Sequence, residues 1–147
     1  MIRSLMEMPL SDHFKALEFA CQGTECCCHG AVNVDEELVA FLEEFRMELG
    51  VPIRVNSGFR CDEHNKSVGG HPRSFHRLGM AADVTAFKLR EDLEGWAIKG
   101  ARMLAERVGE ERGNVIFYPK QNFIHFDVGH RISDLVRKKT DLPPGAV

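Results

Sequence analysis

Two short apolar runs in this chain each carry, at or near the centre, a residue type that ligates metals. In Phe123–Val128 (FIHFDV) the two-residue period of a β-strand sends Phe123, His125 and Asp127 to one face and Ile124, Phe126 and Val128 to the other. In Ala81–Thr85 (AADVT) the same period sets Asp83 with Ala81 and Thr85, opposite Ala82 and Val84. A carboxylate buried in such a run is costly without a partner. A bound cation would satisfy Asp83 and His125 together, and His76, in the loop leading into the Asp83 run, would close a third position. Two imidazoles and one carboxylate suit zinc, and three protein ligands leave a fourth position open to water, as catalytic rather than structural sites do. Zinc there would make that water more acidic and polarise a carbonyl. Spacing alone leaves a plainer alternative open, with His125 a core histidine, His76 a loop histidine and Asp83 a local hydrogen-bond acceptor.

The elements that would position these residues follow from periodicity. Ser11 to Phe19 reads as a short helix and Cys21 to Gly30 as an irregular loop. Asn33 with Glu36 three residues on resembles a capping box, and Leu38, Phe41, Leu42, Phe45 and Leu49 then share one helical face, stopped by Gly50 and Pro52. Ile53 to Asn56 is a strand, and a long loop runs from Cys61 to His76. Leu89, Leu93, Trp96, Ala97, Gly100, Leu104 and Val108 fit a second long helix. Val115 to Tyr118 and Phe123 to Val128 are strands joined by a hairpin-length turn at Pro119–Asn122. The expectation is an α+β domain, a small, largely antiparallel sheet flanked by helices. A single domain fills residues 1–147, with its core at about 12–130 and a loose tail at about 139–147.

Composition narrows the chemistry. The 147 residues suit one domain, 19 Lys and Arg against 22 Asp and Glu give a net charge of -3, and no basic field points to nucleic acid or an anionic membrane. No run approaches the roughly 20 apolar residues of a membrane span, and the first ten residues lack the apolar stretch of a secretory signal. The expectation is a protein made in the cytoplasm; oligomeric state is left open. Five cysteines are an odd number, and Cys26, Cys27 and Cys28 are consecutive, which suits a reducing compartment better than a disulfide framework. Cys21, Cys26, Cys27 and Cys28 with His29 offer a second, structural metal site that Cys61, following the SGFR block, would approach, yet C-x4-C-C-C lacks the paired spacing of ordinary zinc ribbons.

Ser74–Asp83 (SFHRLGMAAD) matches the pattern SxHxxGxAxD, five fixed types in ten positions. Upstream, Ser57–Gly70 begins SGFR, and downstream stands the HxD of His125 and Asp127. Together these blocks resemble the zinc D-Ala-D-Ala carboxypeptidase group of metallopeptidases, whose superfamily includes phage endolysins and the hedgehog amino-terminal domain. The resemblance implies that fold, one catalytic zinc ion held by His76, Asp83 and His125, and Arg60 facing the active site to hold a substrate carboxylate or carbonyl. Ser74 would bind substrate or shape the loop. Tyr118 would line a peptide groove, and Trp96 would pack in the core in preference to joining that groove. Many relatives place an acidic proton carrier a few residues before the last zinc histidine, but Pro119 to Ile124 hold no carboxylate. Asp127 is then the nearest candidate for the catalytic base, with orientation of His125 as its other role; His64 and His130 are weaker candidates.

The implied function is zinc-dependent hydrolysis of peptidoglycan stem peptides, as a D-Ala-D-Ala carboxypeptidase or an L-Ala-D-Glu endopeptidase, in a phage or prophage lysin or another enzyme acting on the cell wall. Two rivals stand beside it: a zinc-bearing binding module without turnover, and a cysteine-rich metal or redox protein.

Overall fold

The computed structural model describes residues 8–23, 28–132, 134 and 136–139. Cys26 and Cys27 of the cysteine run, and residues 140–147 of the expected tail, lie outside that set. Five strands, β1 (Arg54–Ser57), β2 (Ala81–Thr85), β3 (Arg112–Tyr118), β4 (Phe123–His130) and β5 (Val136–Lys138), form one sheet in the order β1-β2-β4-β3-β5. Three neighbouring pairs are antiparallel and β3–β5 is parallel. The largely antiparallel α+β fold read from the pattern is therefore the observed one. Its fifth strand was not anticipated, because Val136–Lys138 is three residues long and two of them are charged.

The strand faces follow the alternation in the sequence. Ala82, Val84, Val115, Phe117, Ile124, Phe126 and Val128 join one apolar cluster with the helices α1 (Glu36–Leu49) and α3 (Leu93–Val108). Phe126 sits at its centre, edge-on to Phe41 at 4.8 Å and to Phe45 at 5.0 Å between ring centroids. Trp96 packs edge-on against Phe45, so it belongs to this core rather than to a groove. Asp83, His125 and Asp127 emerge on the opposite face, and the register places Asp83 beside His125 across the β2–β4 pair.

Four helical expectations shift. The cap of α1 is Asp35, whose side chain accepts from Glu37 N at 2.8 Å, while Asn33 donates to Leu78 O instead. A carboxylate one residue before the helix competes better for the first N–H groups than an amide already committed elsewhere. Gly50 ends α1 in the left-handed conformation, as expected. Within the expected long loop lies a six-residue helix, α2 (Asp62–Ser67), capped by the Cys61 thiol. The expected amino-terminal helix is a single 3-10 turn at Ala16–Phe19, and the long helix is divided, with a 3-10 stretch at Phe87–Glu91 before Asp92 caps α3.

The amino-terminal turn packs on the segment that follows β1. Phe59 N donates to Phe19 O at 2.8 Å, and a Cβ on Gly58 would lie 2.6 Å from Phe19 Cα. Backbone lies against backbone there, so only glycine fits. Replacing it by alanine, Gly58→Ala, is expected to cost roughly 1–3 kcal/mol, the usual range for overpacking a closed contact. A lowered urea midpoint with unchanged m-value reads this out; an unchanged midpoint would refute the close approach.

Candidate metal centre

The two strands and one 3-10 turn bring three side chains together. His76 lies in the 3-10 turn Phe75–Leu78, where Ser74 accepts from His76 N at 3.2 Å and so sets the start of the turn. His76 Nε2 is 3.3 Å from Asp83 Oδ1, and His125 Nδ1 is 2.9 Å from the same oxygen. One donor atom from each of the three lies within 4.8 Å of the others, and all three side chains are buried. Ligands bonded at about 2.0–2.1 Å to a tetrahedral ion stand about 3.3 Å apart, so the spacing fits a zinc ion with small adjustments.

Each imidazole is held at its other nitrogen. His76 Nδ1 is 2.7 Å from the Gly58 carbonyl, which only accepts, so that nitrogen carries the proton and Nε2 presents its lone pair towards Asp83. Arg60 N donates back to His76 O at 3.0 Å, so the SGFR segment grips this residue at both backbone and ring. His125 Nε2 is 2.7 Å from Asp127 Oδ2. Asp127 in turn accepts from Asn114 Nδ2 at 2.9 Å and from Gly129 N at 3.1 Å. Metal-binding histidines generally carry such a carboxylate or carbonyl on the nitrogen turned away from the ion. Both histidines here have one.

The electrostatics ask for positive charge between the carboxylates. Burial alone would raise the pKa of Asp83, but His76 and His125 together hold it well below the usual carboxylate range. Burial would lower that of His125, yet the hydrogen bonds it donates to Asp127 and Asp83 push it up to about 9. Burial keeps His76 below its ordinary value, and so neutral. A cation entering this set must therefore displace a proton from His125.

A cleft of about 390 Å³ opens beside the set, with Asp83, Arg60, Ser57, His64, Gln121 and Phe123 among its walls. Arg60 is only 2% exposed, and its pKa is lowered by burial against the opposing charge of Asp83. His64, from α2, is lowered by partial burial and then by the Arg60 charge. Tyr118 does not line this cleft; it is buried, its ring stacked at 4.3 Å on Phe123, and burial raises its pKa. Ser74 and His130 border a different hollow, next to Phe75 and Arg137. Three contributors escaped the sequence reading. The Gly58 carbonyl is backbone and leaves no side-chain signal. Asn114 is a fully buried amide inside an apolar strand, which was a readable sign of a polar partner. Gln121 occupies the stretch searched only for acids.

The family model of Peptidase M15 matches residues 12–127. The chain belongs to that family. Among curated proteins it is 31% identical over 83 residues to a peptidoglycan L,D-endopeptidase, MepK, of Escherichia coli K12, and equally to the protein of the same name in Shigella flexneri. The match covers 53% of this chain and 41% of those relatives. The chain thus spans about two fifths of their length. No solved structure matches it.

Two measurements follow from the hydrogen bonds. Asp127→Asn is expected to lower zinc affinity roughly 10–100-fold, the usual effect of removing such a partner, while leaving the fold intact; unchanged affinity would deny Asp127 its hold on His125. Calorimetry at pH 7 in buffers of different ionisation enthalpy is expected to show release of about one proton per zinc bound, with affinity rising as pH climbs towards about 9, the raised pKa of His125. Binding without proton release would contradict the charge state assigned to His125.

Proposed function

We propose that this chain is a zinc peptidase acting on the stem peptides of peptidoglycan, in a lysin-type role at the cell wall. The observation that carries the reading is the convergence of His76, Asp83 and His125 beside an Arg60-lined cleft in a member of the peptidase M15 family. The residues present fit zinc: mixed nitrogen and oxygen donors, a neutral His76 whose Nε2 lone pair is turned towards Asp83, a His125 whose Nδ1 faces the same carboxylate and gives up its proton to an entering ion, and a buried carboxylate that needs a cation. Zinc held there supplies Lewis acidity towards a peptide carbonyl and activation of water.

The rest of the chemistry belongs to the chain. Arg60 offers a planar fork to a substrate carboxylate or carbonyl, and its near-complete burial strengthens that interaction. Asp127 is a positioning residue: its carboxylate engages the nitrogen of His125 that faces away from Asp83, so it orients the ring rather than meeting substrate. With Asp83 the one carboxylate among the described residues lining the cleft, the proton-carrying role falls to His64. Its lowered pKa keeps it neutral at pH 7 and able to accept a proton. The name of the E. coli relative favours an endopeptidase acting on an L,D bond over a carboxypeptidase.

A second reading, a zinc-bearing wall-binding module, is favoured by that same shortage of carboxylates. Incubating zinc-loaded protein with purified peptidoglycan and identifying released muropeptides by mass spectrometry separates the two. New peptide fragments, absent with His76→Ala, are the expected result; no fragment at any pH would overturn the peptidase and favour the module. In the active protein the acidic limb of kcat should lie below pH 6.5, the ordinary histidine value, and vanish in His64→Gln together with most of the turnover. Arg60→Ala is expected to raise KM far more than it lowers kcat.

A further inference from the structure

A second cluster of ligating side chains lies outside the histidine and aspartate set. Cys21 follows the Ala16–Phe19 turn, where its backbone N–H donates to Ala31 O at 2.9 Å. Cys28 lies in the same loop, and Cys61 immediately follows Arg60 at the start of α2. The three sulfur atoms lie within 4.8 Å of one another, and Cys21 Sγ is 3.8 Å from Cys61 Sγ. A disulfide requires about 2.05 Å. Two thiolates bonded at about 2.3 Å to one tetrahedral zinc ion stand about 3.8 Å apart, which is the spacing observed.

We infer that Cys21, Cys28 and Cys61 form a structural, thiolate-ligated zinc site, separate from the His76, Asp83 and His125 set. Soft sulfur donors select zinc over the harder divalent cations. The fourth ligand comes from outside the trio. The placement gives the ion a mechanical task, because it ties the loop after the amino-terminal turn to the segment that carries Arg60. Gln22, next to Cys21, donates to Asn56 O at 2.9 Å and also walls the cleft. The ion therefore holds two walls of the cleft in place. The metal assignment stands on the sulfur geometry alone, and only this positioning role rests on the peptidase reading.

Protein purified under reducing conditions and loaded with zinc is expected to hold two ions per chain by elemental analysis. Cys61→Ser should hold one, and His76→Ala should hold one. Exchange for cobalt should give an intense sulfur-to-cobalt charge-transfer band in the near ultraviolet, kept in His76→Ala and lost in Cys61→Ser. Should Cys61→Ser fail to fold, alkylation of the native chain decides the matter: Cys21, Cys28 and Cys61 are protected with zinc and modified after chelation. Loss of activity in His76→Ala with the thiolate band kept would mean that both assignments hold. A normal band on a wild-type chain without peptidase activity would sink the peptidase reading alone. A single zinc without a thiolate band, or a Cys21–Cys61 disulfide in the reduced preparation, would overturn the cysteine site.

Discussion

The charge on Asp83 is the constraint around which this structure is arranged. The side chain is buried in the middle strand pairings of the sheet, where an uncompensated carboxylate would cost several kcal/mol. It therefore demands a cationic or donating neighbour, which protonated His125 supplies through Nδ1, while His76 faces it with a lone pair and leaves a further positive charge to be placed between them. The outer nitrogens of the two imidazoles would become new buried orphans if left alone, so each is matched by an acceptor: the Gly58 carbonyl for His76 and Asp127 for His125. Asp127 is equally buried and is satisfied by Asn114 and Gly129. One line of polar contacts thus runs from Asn114 through Asp127, His125, Asp83 and His76 to Gly58. Each member makes the next affordable only if the whole line is present.

The sheet makes such a line possible because its two faces are chemically separate. Phe126, buried against Phe41 and Phe45, anchors β4 to the helices on one side. Its neighbours His125 and Asp127 are forced to the other side by strand geometry. Fixing the apolar face fixes the position of the polar one. The 3-10 turn carrying His76 and the glycine segment after β1 then close over this polar row, leaving the cleft at its Arg60 end.

Those parts governed by local periodicity were legible in the sequence. The faces of β2 and β4, the hairpin at Pro119–Asn122 and the apolar stripe of α1 all come from spacings of two or from helical spacing. Interactions between distant segments were not. The cap of α1 moved from Asn33 to Asp35 because Asn33 has a partner at Leu78, 45 residues away. Helix α2 hid behind a thiol cap, which lies outside the usual capping residues. Strand β5 depends on pairing with β3 and carries almost no apolar signal of its own. At the site, the pattern from Ser74 to Asp83 named its own residues, but which side of His125 faces Asp127 is a fact of three dimensions. No spacing contains it. The nearness of Cys21 to Cys61 is likewise a product of the fold.

We propose that His76, Asp83 and His125 form a metal centre with both imidazoles set by their outer partners. The most direct test is diffraction from crystals grown with zinc, collected at and below the zinc absorption edge. The expected result is an anomalous peak bonded to His76 Nε2, an Asp83 carboxylate oxygen and His125 Nδ1, with Asp127 still hydrogen-bonded to His125 Nε2. No peak at this site, or zinc on His125 Nε2 with Asp127 turned into the cleft, would contradict it.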